Sequence, residues 1–211
     1  MKVAVLFEYP GTVRDAFIRA GHYAVSYDLL PSESDFGPHI CGDIMYYPIN
    51  TWESYDLIIA HPPCTYMAVS GNRWYAKTHK RAESAELIYN TWRLPCEKLC
   101  IENPVGQINT YIPQMPKPQY IQPWEYGHGE TKKTGLWKRN LPDLKPTNIV
   151  EGREQKVWKM GPSEDRGKLR SIFFKGIADA MAEQWGKEAY LPLNWDKTPA
   201  YRPTMRPEWL R

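Results

Sequence analysis

The sequence predicts an α/β fold, a mostly parallel sheet with helices on both faces. Two observations point there. Short, wholly apolar runs recur through the first half of the chain, and stretches of helical periodicity separate them. Strands that alternate with helices build parallel sheets, and parallel strands, covered on both sides, read as unbroken apolar runs.

Val3 to Phe7 is the first such strand, and Gly11 turns the chain into a helix from about Val13 to Ala20. Ala24 to Tyr27 follows as a second strand, and Ile40 to Ile44 is expected as a third. Asp56-Leu57-Ile58-Ile59-Ala60 is the most emphatic strand of all. A polar loop leads to a helix near Ala82 to Arg93, and then Leu99-Cys100-Ile101-Glu102 closes the alternating half. Downstream, Pro113 to Pro123 is expected to be extended and Thr134 to Trp137 a short strand, with a polar loop over Asn140 to Ser163. A last helix runs from about Phe174 to Trp185, apolar at Ile177, Ala178, Met181, Ala182 and Trp185, and Gly186 stops it. Residues 1–186 are thus expected to form one domain, with 187–211 a tail rich in Pro, Trp and Arg.

The chain has 211 residues, enough to bury a core without disulfides or metals. Its 27 basic and 24 acidic side chains leave a formal charge of +3, which permits a polyanionic partner without demanding one. Nine Trp, 14 Tyr and 19 Pro supply flat side chains and stiff loops. The four cysteines, Cys41, Cys64, Cys96 and Cys100, are irregularly spaced and complete no zinc set, and no long apolar run is present. A reduced, cytoplasmic, metal-free protein without a membrane anchor is the expectation. His61 and His128 read as loop histidines, and Trp124, Trp137 and Trp158 as packing residues.

Ligands of such sheets bind at the carboxyl ends of the strands. Three segments put reactive side chains there. Ala60-His61-Pro62-Pro63-Cys64 follows a buried strand, and its prolines stiffen the loop that carries the thiol. Taken alone, a lone cysteine there is more often structural. Cys100-Ile101-Glu102-Asn103-Pro104 brings a carboxyl group to the same edge, where a turn or capping acid is the plainer reading. Phe7-Glu8-Tyr9-Pro10-Gly11 is a strand-to-helix turn, followed by Asp28 and Asp43 near the next two strand ends. Amides at a helix start, with an acid some way on, suit a nucleoside that carries a ribose.

Taken in order, these segments resemble the cytosine-5 DNA methyltransferase family, and small phage-encoded members most. That family has a Phe-containing glycine turn, an acid after the second strand and an Asp near the third, then Pro-Cys and Glu-Asn motifs. The resemblance continues through Tyr126-Gly127-His128-Gly129-Glu130-Thr131-Lys132-Lys133-Thr134 and the closing helix region Ser171 to Trp185. It implies a Rossmann-like fold that uses S-adenosyl-L-methionine, or a carboxylated analogue, and a DNA substrate whose base is flipped out of the helix. It further implies Cys64 as the nucleophile, Glu102 as the group on ring nitrogen 3, and Lys132 on the 2-keto oxygen. Phe7, Glu8, Gly11, Asp28, Asp43 and Pro62 would line the donor site. Pro63 and Asn103, with Ser70 and Arg73 of the loop Thr65 to Lys80, would contact the substrate. Arg166 and Arg170 are phosphate contacts or solvated surface.

The sequence also departs from the pattern. Tyr9-Pro10 stands where the family is glycine-rich, Glu130 replaces a Gln, and Thr134 replaces a second Arg. Only about Trp137 to Arg170 is left for target recognition, too little for a separate domain. Short or relaxed sequence recognition is expected. A free cytosine nucleotide as substrate, and a non-catalytic relative that binds DNA or a partner, remain open.

Overall fold

A computed structural model of the chain describes residues 1–71, 78–156 and 173–187. Seven strands form one sheet in the order β3-β2-β1-β4-β5-β7-β6. They are β1 (Lys2–Leu6), β2 (Tyr23–Asp28), β3 (His39–Cys41), β4 (Leu57–Ala60), β5 (Lys98–Pro104), β6 (Gln119–Ile121) and β7 (Thr134–Arg139). The first five are parallel, and β7 runs antiparallel between β5 and β6. Among the described residues, the α-helices are α1 (Thr12–Arg19), α2 (Asn50–Glu53), α3 (His79–Trp92), α4 (Ile108–Tyr111) and α5 (Lys175–Gly186).

Alternation along the strands sorts the core into two layers, as the two-residue period of a strand requires. Val3, Val5, Leu57, Ile59 and Cys100 pack on one face against Val13 and Phe17 of α1 and Ile177, Met181 and Trp185 of α5. Ala4, Leu6, Ile58, Ala60, Leu99 and Ile101 pack on the other against Trp52 of α2 and Ala85 and Ile88 of α3. Every residue of β4 is fully buried, which is why that segment reads as an unbroken apolar run. The architecture is therefore a Rossmann-like sheet covered on both faces. The connection from β1 goes over one face through α1, and that from β4 over the other through α3. The topological switch point, where such sheets open a crevice for ligands, lies between β1 and β4.

Three segments differ from the sequence reading. The third strand ends at Cys41, because Asp43 accepts a hydrogen bond from the Met45 amide and starts a short 3-10 turn at Ile44–Tyr46. Within the proline-rich segment lies β6, paired with β7. Finally, β7 runs on to Arg139, whose guanidinium donates to the carbonyls of Trp92, the last residue of α3, and of Leu94 and Cys96 after it. Trp137 is thus a core residue of β7, its indole N–H donated to Asn109, and not part of a recognition loop.

Arg14 is fully buried, an unusual place for a charge. Its guanidinium donates to Asp15, Ser26, Ser32 and the Ser34 carbonyl at 2.7–3.1 Å. His39 joins through Ser26 at 2.8 Å and the Leu30 carbonyl at 2.9 Å. This network fastens α1 to the loop after β2, and so holds the edge of the crevice on that side.

Candidate active site

The carboxyl ends of β1, β2, β4 and β5 bring most of the singled-out residues to one edge. Phe7 leaves β1 in the left-handed region, at φ 58°, a conformation that non-glycine residues adopt at a cost. The chain thereby turns sharply enough for the Glu8 amide to donate to Tyr27 at the end of β2, at 3.2 Å. Gly11 has φ 76°, and a Cβ there would meet the buried Arg14 guanidinium at 2.4 Å, so a side chain at this position would be strained.

Glu8 is 3% exposed, and its carboxylate accepts from the amides of Val13 and Arg14 at the start of α1. Two amides read from the sequence as a place for a ligand are thus occupied from within the chain. Burial pushes the Glu8 carboxyl up from its ordinary value of 4.5 to about 7, against the lowering effects of His61, the two amides and Arg14. A buried acid with a raised pKa binds its proton in the folded state while the unfolded chain has already released it. Glu8 therefore makes the protein lose stability as pH rises from about 4.5 to about 7, by on the order of 3 kcal/mol at most. Glu8→Gln is expected to flatten that slope. Urea unfolding of both proteins at pH 5 and pH 7.5 checks this, and an unchanged slope would place the raised acid elsewhere.

Asp28 ends β2, and one carboxylate oxygen accepts from the Leu30 amide at 2.9 Å. Its carbonyl accepts from the Gly42 amide at 2.8 Å, which brings Asp43 alongside. Each acid spends one oxygen on its own turn, and among the described residues the other has no partner. Leu29, Met45 and Tyr46 beside them are exposed. Two adjacent acids with acceptor capacity, set among exposed apolar side chains, fit the hydroxyls of a ribose and a flat base.

On the other side of the switch point, the loop after β4 is laced to β5 and the chain that follows it. Asn103 donates to the Pro62 carbonyl at 2.8 Å, the Val69 amide to Val105 at 3.0 Å, and the Gln107 amide to Met67 at 2.8 Å. Within the loop, the Met67 and Ala68 amides donate to the Cys64 carbonyl at 3.0 and 2.8 Å. Ala68 and Gly106 form a bridge so close that a Cβ on Gly106 would lie 2.1 Å from the Met67 oxygen. From α3, Arg81 donates to the Tyr66 carbonyl at 2.8 Å. Pro62 is buried, Pro63 exposed, and Cys64 half-buried between rigid neighbours. The thiols of Cys96 and Cys100 are buried, and burial pushes both up, that of Cys96 to about 12. Cys41 is exposed, at the end of β3.

Glu102 is 8% exposed and accepts through Oε2 from His61 Nδ1 at 3.0 Å. Sequence reasoning passed over His61 as an ordinary loop residue. The available signal was its register, since Ala60 pairs with Ile101 and the next residues are His61 and Glu102. Lys132 lies two residues before β7, whose first residue Thr134 pairs with Pro104 at the end of β5. Its ammonium sits 5.7 Å from the centre of the Phe174 ring, and the neighbouring Phe173 ring lies 4.9 Å from His61. Ser70 is exposed in the short turn Val69–Gly71. Arg73, Trp158, Arg166, Arg170 and the tail beyond 187 lie outside the described residues. Among the described residues, no cluster of His, Cys, Asp and Glu has the makings of a metal site, and no helix is long and apolar enough to cross a membrane.

Neither a protein-family model nor a curated protein sequence matches the chain. Solved structures do resemble it at low identity. One, described as a DNA modification methyltransferase encoded within an Escherichia coli prophage, is 15% identical over 71% of this chain, with a TM-score of 0.48. This chain spans 52% of that protein, about half its length. A human methyltransferase 10 domain containing protein is 11% identical over 64% of this chain and 70% of its own, with a TM-score of 0.37. A Thermoplasma acidophilum protein is 10% identical over 65% and 77% respectively, with a TM-score of 0.34.

Proposed function

We propose that this chain transfers a methyl or related one-carbon-derived group to carbon 5 of cytosine in DNA, through a covalent adduct at Cys64. The observation that carries the reading is the lacing of the Cys64 loop to the Glu102-Asn103 strand end beside the switch point. It holds a thiol and a carboxyl group at one edge, with two acids suited to a nucleoside at the adjoining strand ends.

Carbon 5 of cytosine is a weak nucleophile. The Cys64 thiolate adds to carbon 6 and makes the ring an enamine, whose carbon 5 then has the electron density to form a new bond. As the thiolate adds, the Glu102 carboxyl gives its proton to ring nitrogen 3, and the carboxylate then accepts from that N–H and from the exocyclic amine. Lys132 neutralises charge at the 2-keto oxygen. Release of the carbon 5 proton to water, expulsion of the thiolate and return of the nitrogen 3 proton to Glu102 restore the aromatic ring. Asp28 and Asp43 are assigned to the ribose and base of an S-adenosyl-L-methionine-type donor, and Phe7, Gly11 and Pro62 to the walls around it. Such a donor would supply an electrophilic carbon on a sulfonium sulfur, which would leave as the neutral thioether when carbon 5 takes the group. Because Glu8 already holds the α1 amides, the donor's carboxylate is assigned to other groups.

A free cytosine nucleotide is the second reading. It is favoured by the short span from Asn140 to Phe174 between β7 and α5, in which a groove reader would have to fit. Nucleoside mass spectrometry on DNA from cells expressing the protein tests both. A new modified deoxycytidine is the expected result, and its mass separates methyl from carboxymethyl. An unchanged profile, with modification of free cytosine nucleotides by the purified protein, would favour the second reading.

A further inference from the structure

We infer that His61 is a positioning residue that fixes the Glu102 carboxyl group for its work on the cytosine ring, an inference that rests on the reaction proposed above. Three contacts hold His61 itself. Its amide donates to the Leu6 carbonyl at 3.0 Å, anchoring it across the switch point to β1. Its ring packs against Phe173 at 4.9 Å between centroids. Its Nδ1 meets Glu102 Oε2 at 3.0 Å, with both side chains only about one-tenth exposed.

The ring's other nitrogen, Nε2, is enclosed without a partner among the described residues. A carboxyl group that presents its proton to the base through Oε1 accepts through Oε2, so the proton of this contact belongs on Nδ1. Glu102 has three rotatable bonds and would otherwise sample several rotamers at the crevice edge. One fixed N–H on Oε2 removes that freedom and leaves Oε1, which has no partner among the described residues, to face the base. On the β1 side of the switch point, the Val13 and Arg14 amides of α1 hold the Glu8 carboxyl group.

The test compares two variants of unlike shape. His61→Phe keeps a ring against Phe173 but has no N–H to give, whereas His61→Asn keeps an N–H near the Nδ1 position and loses the ring. Removing the donor is expected to lower kcat by about 10- to 100-fold, the range that follows from a misplaced reacting group, with KM for DNA within about threefold. His61→Asn is expected to recover most of that loss. In a Glu102→Gln background, His61→Phe is expected to cost little more. An unchanged kcat in His61→Phe, or equal losses in both variants, would overturn the proposal and leave His61 a packing residue.

Nitrogen-15 NMR of the histidine rings supplies a readout independent of turnover. The Nδ1–H form is expected in the wild type, with its signals displaced by Glu102→Gln. An Nε2–H form indifferent to Glu102 would also overturn the proposal. If the wild type transfers nothing to cytosine, the reaction reading fails, while this spectrum still reports whether His61 holds Glu102.

Discussion

Transfer to cytosine is expected to fall by about a thousandfold or more when Cys64 becomes alanine, with folding stability changed by less than about 0.5 kcal/mol. The loss is large because no other thiol stands beside Cys64, with β2 and β1 lying between β3 and β4. The thiols of Cys96 and Cys100 are buried and pushed away from the thiolate form, and Cys41 sits at the end of β3. Serine is expected to fail nearly as badly as alanine, since its hydroxyl is far harder to ionise than a thiol. Cys41→Ser serves as the control and is expected to match the wild type. Single-turnover transfer, quantified as modified deoxycytidine, measures all three. Activity in Cys64→Ala above a tenth of the wild type would remove the cysteine from the reaction.

Gly106→Ala is expected to reduce transfer by roughly 100-fold through a residue that carries no functional group. The new Cβ would lie 2.1 Å from the Met67 oxygen and 3.0 Å from Ala68 Cα, both backbone atoms that cannot rotate away. The loop that carries Cys64 must therefore lift off the chain after β5. A shift of about 1 Å in a reacting group is enough to cost two orders of magnitude. The strain itself should cost about 1 to 3 kcal/mol, so the variant remains folded if the wild type has ordinary stability. The diagnostic pattern is a low kcat with donor binding preserved, because Asp28 and Asp43 sit across the switch point from the disturbed loop. Equal loss of donor binding and turnover would mean that the lacing supports the whole crevice rather than Cys64.

Much of the fold was legible because parallel strands are buried on both faces. Leu57 to Ala60 and Leu99 to Ile101 admit no other reading once their full burial is granted, and a strand-end position then places Cys64 and Glu102 on one edge. What escaped depends on partners distant in sequence. Nothing local to Arg14 shows that Ser26 of β2, with Ser32 and Ser34 of the loop after it, closes around its guanidinium. Glu8 reads as part of a ligand turn, yet its carboxylate folds back on α1. His61 acquires meaning only through the β4–β5 register. The three residues of β6 lie among prolines, and pairing with β7 rather than local propensity makes them a strand.

The most direct test of the central claim is trapping with DNA that carries 5-fluorocytosine. Fluorine on carbon 5 cannot leave as the proton does, so once the new bond forms the enzyme stays joined to the base. In the presence of an S-adenosyl-L-methionine-type donor, intact mass is expected to show protein, oligonucleotide and transferred group in one species, with the link mapped by digestion to Cys64. A wild-type protein that modifies cytosine without forming this adduct, or an adduct that persists in Cys64→Ala, would contradict the account.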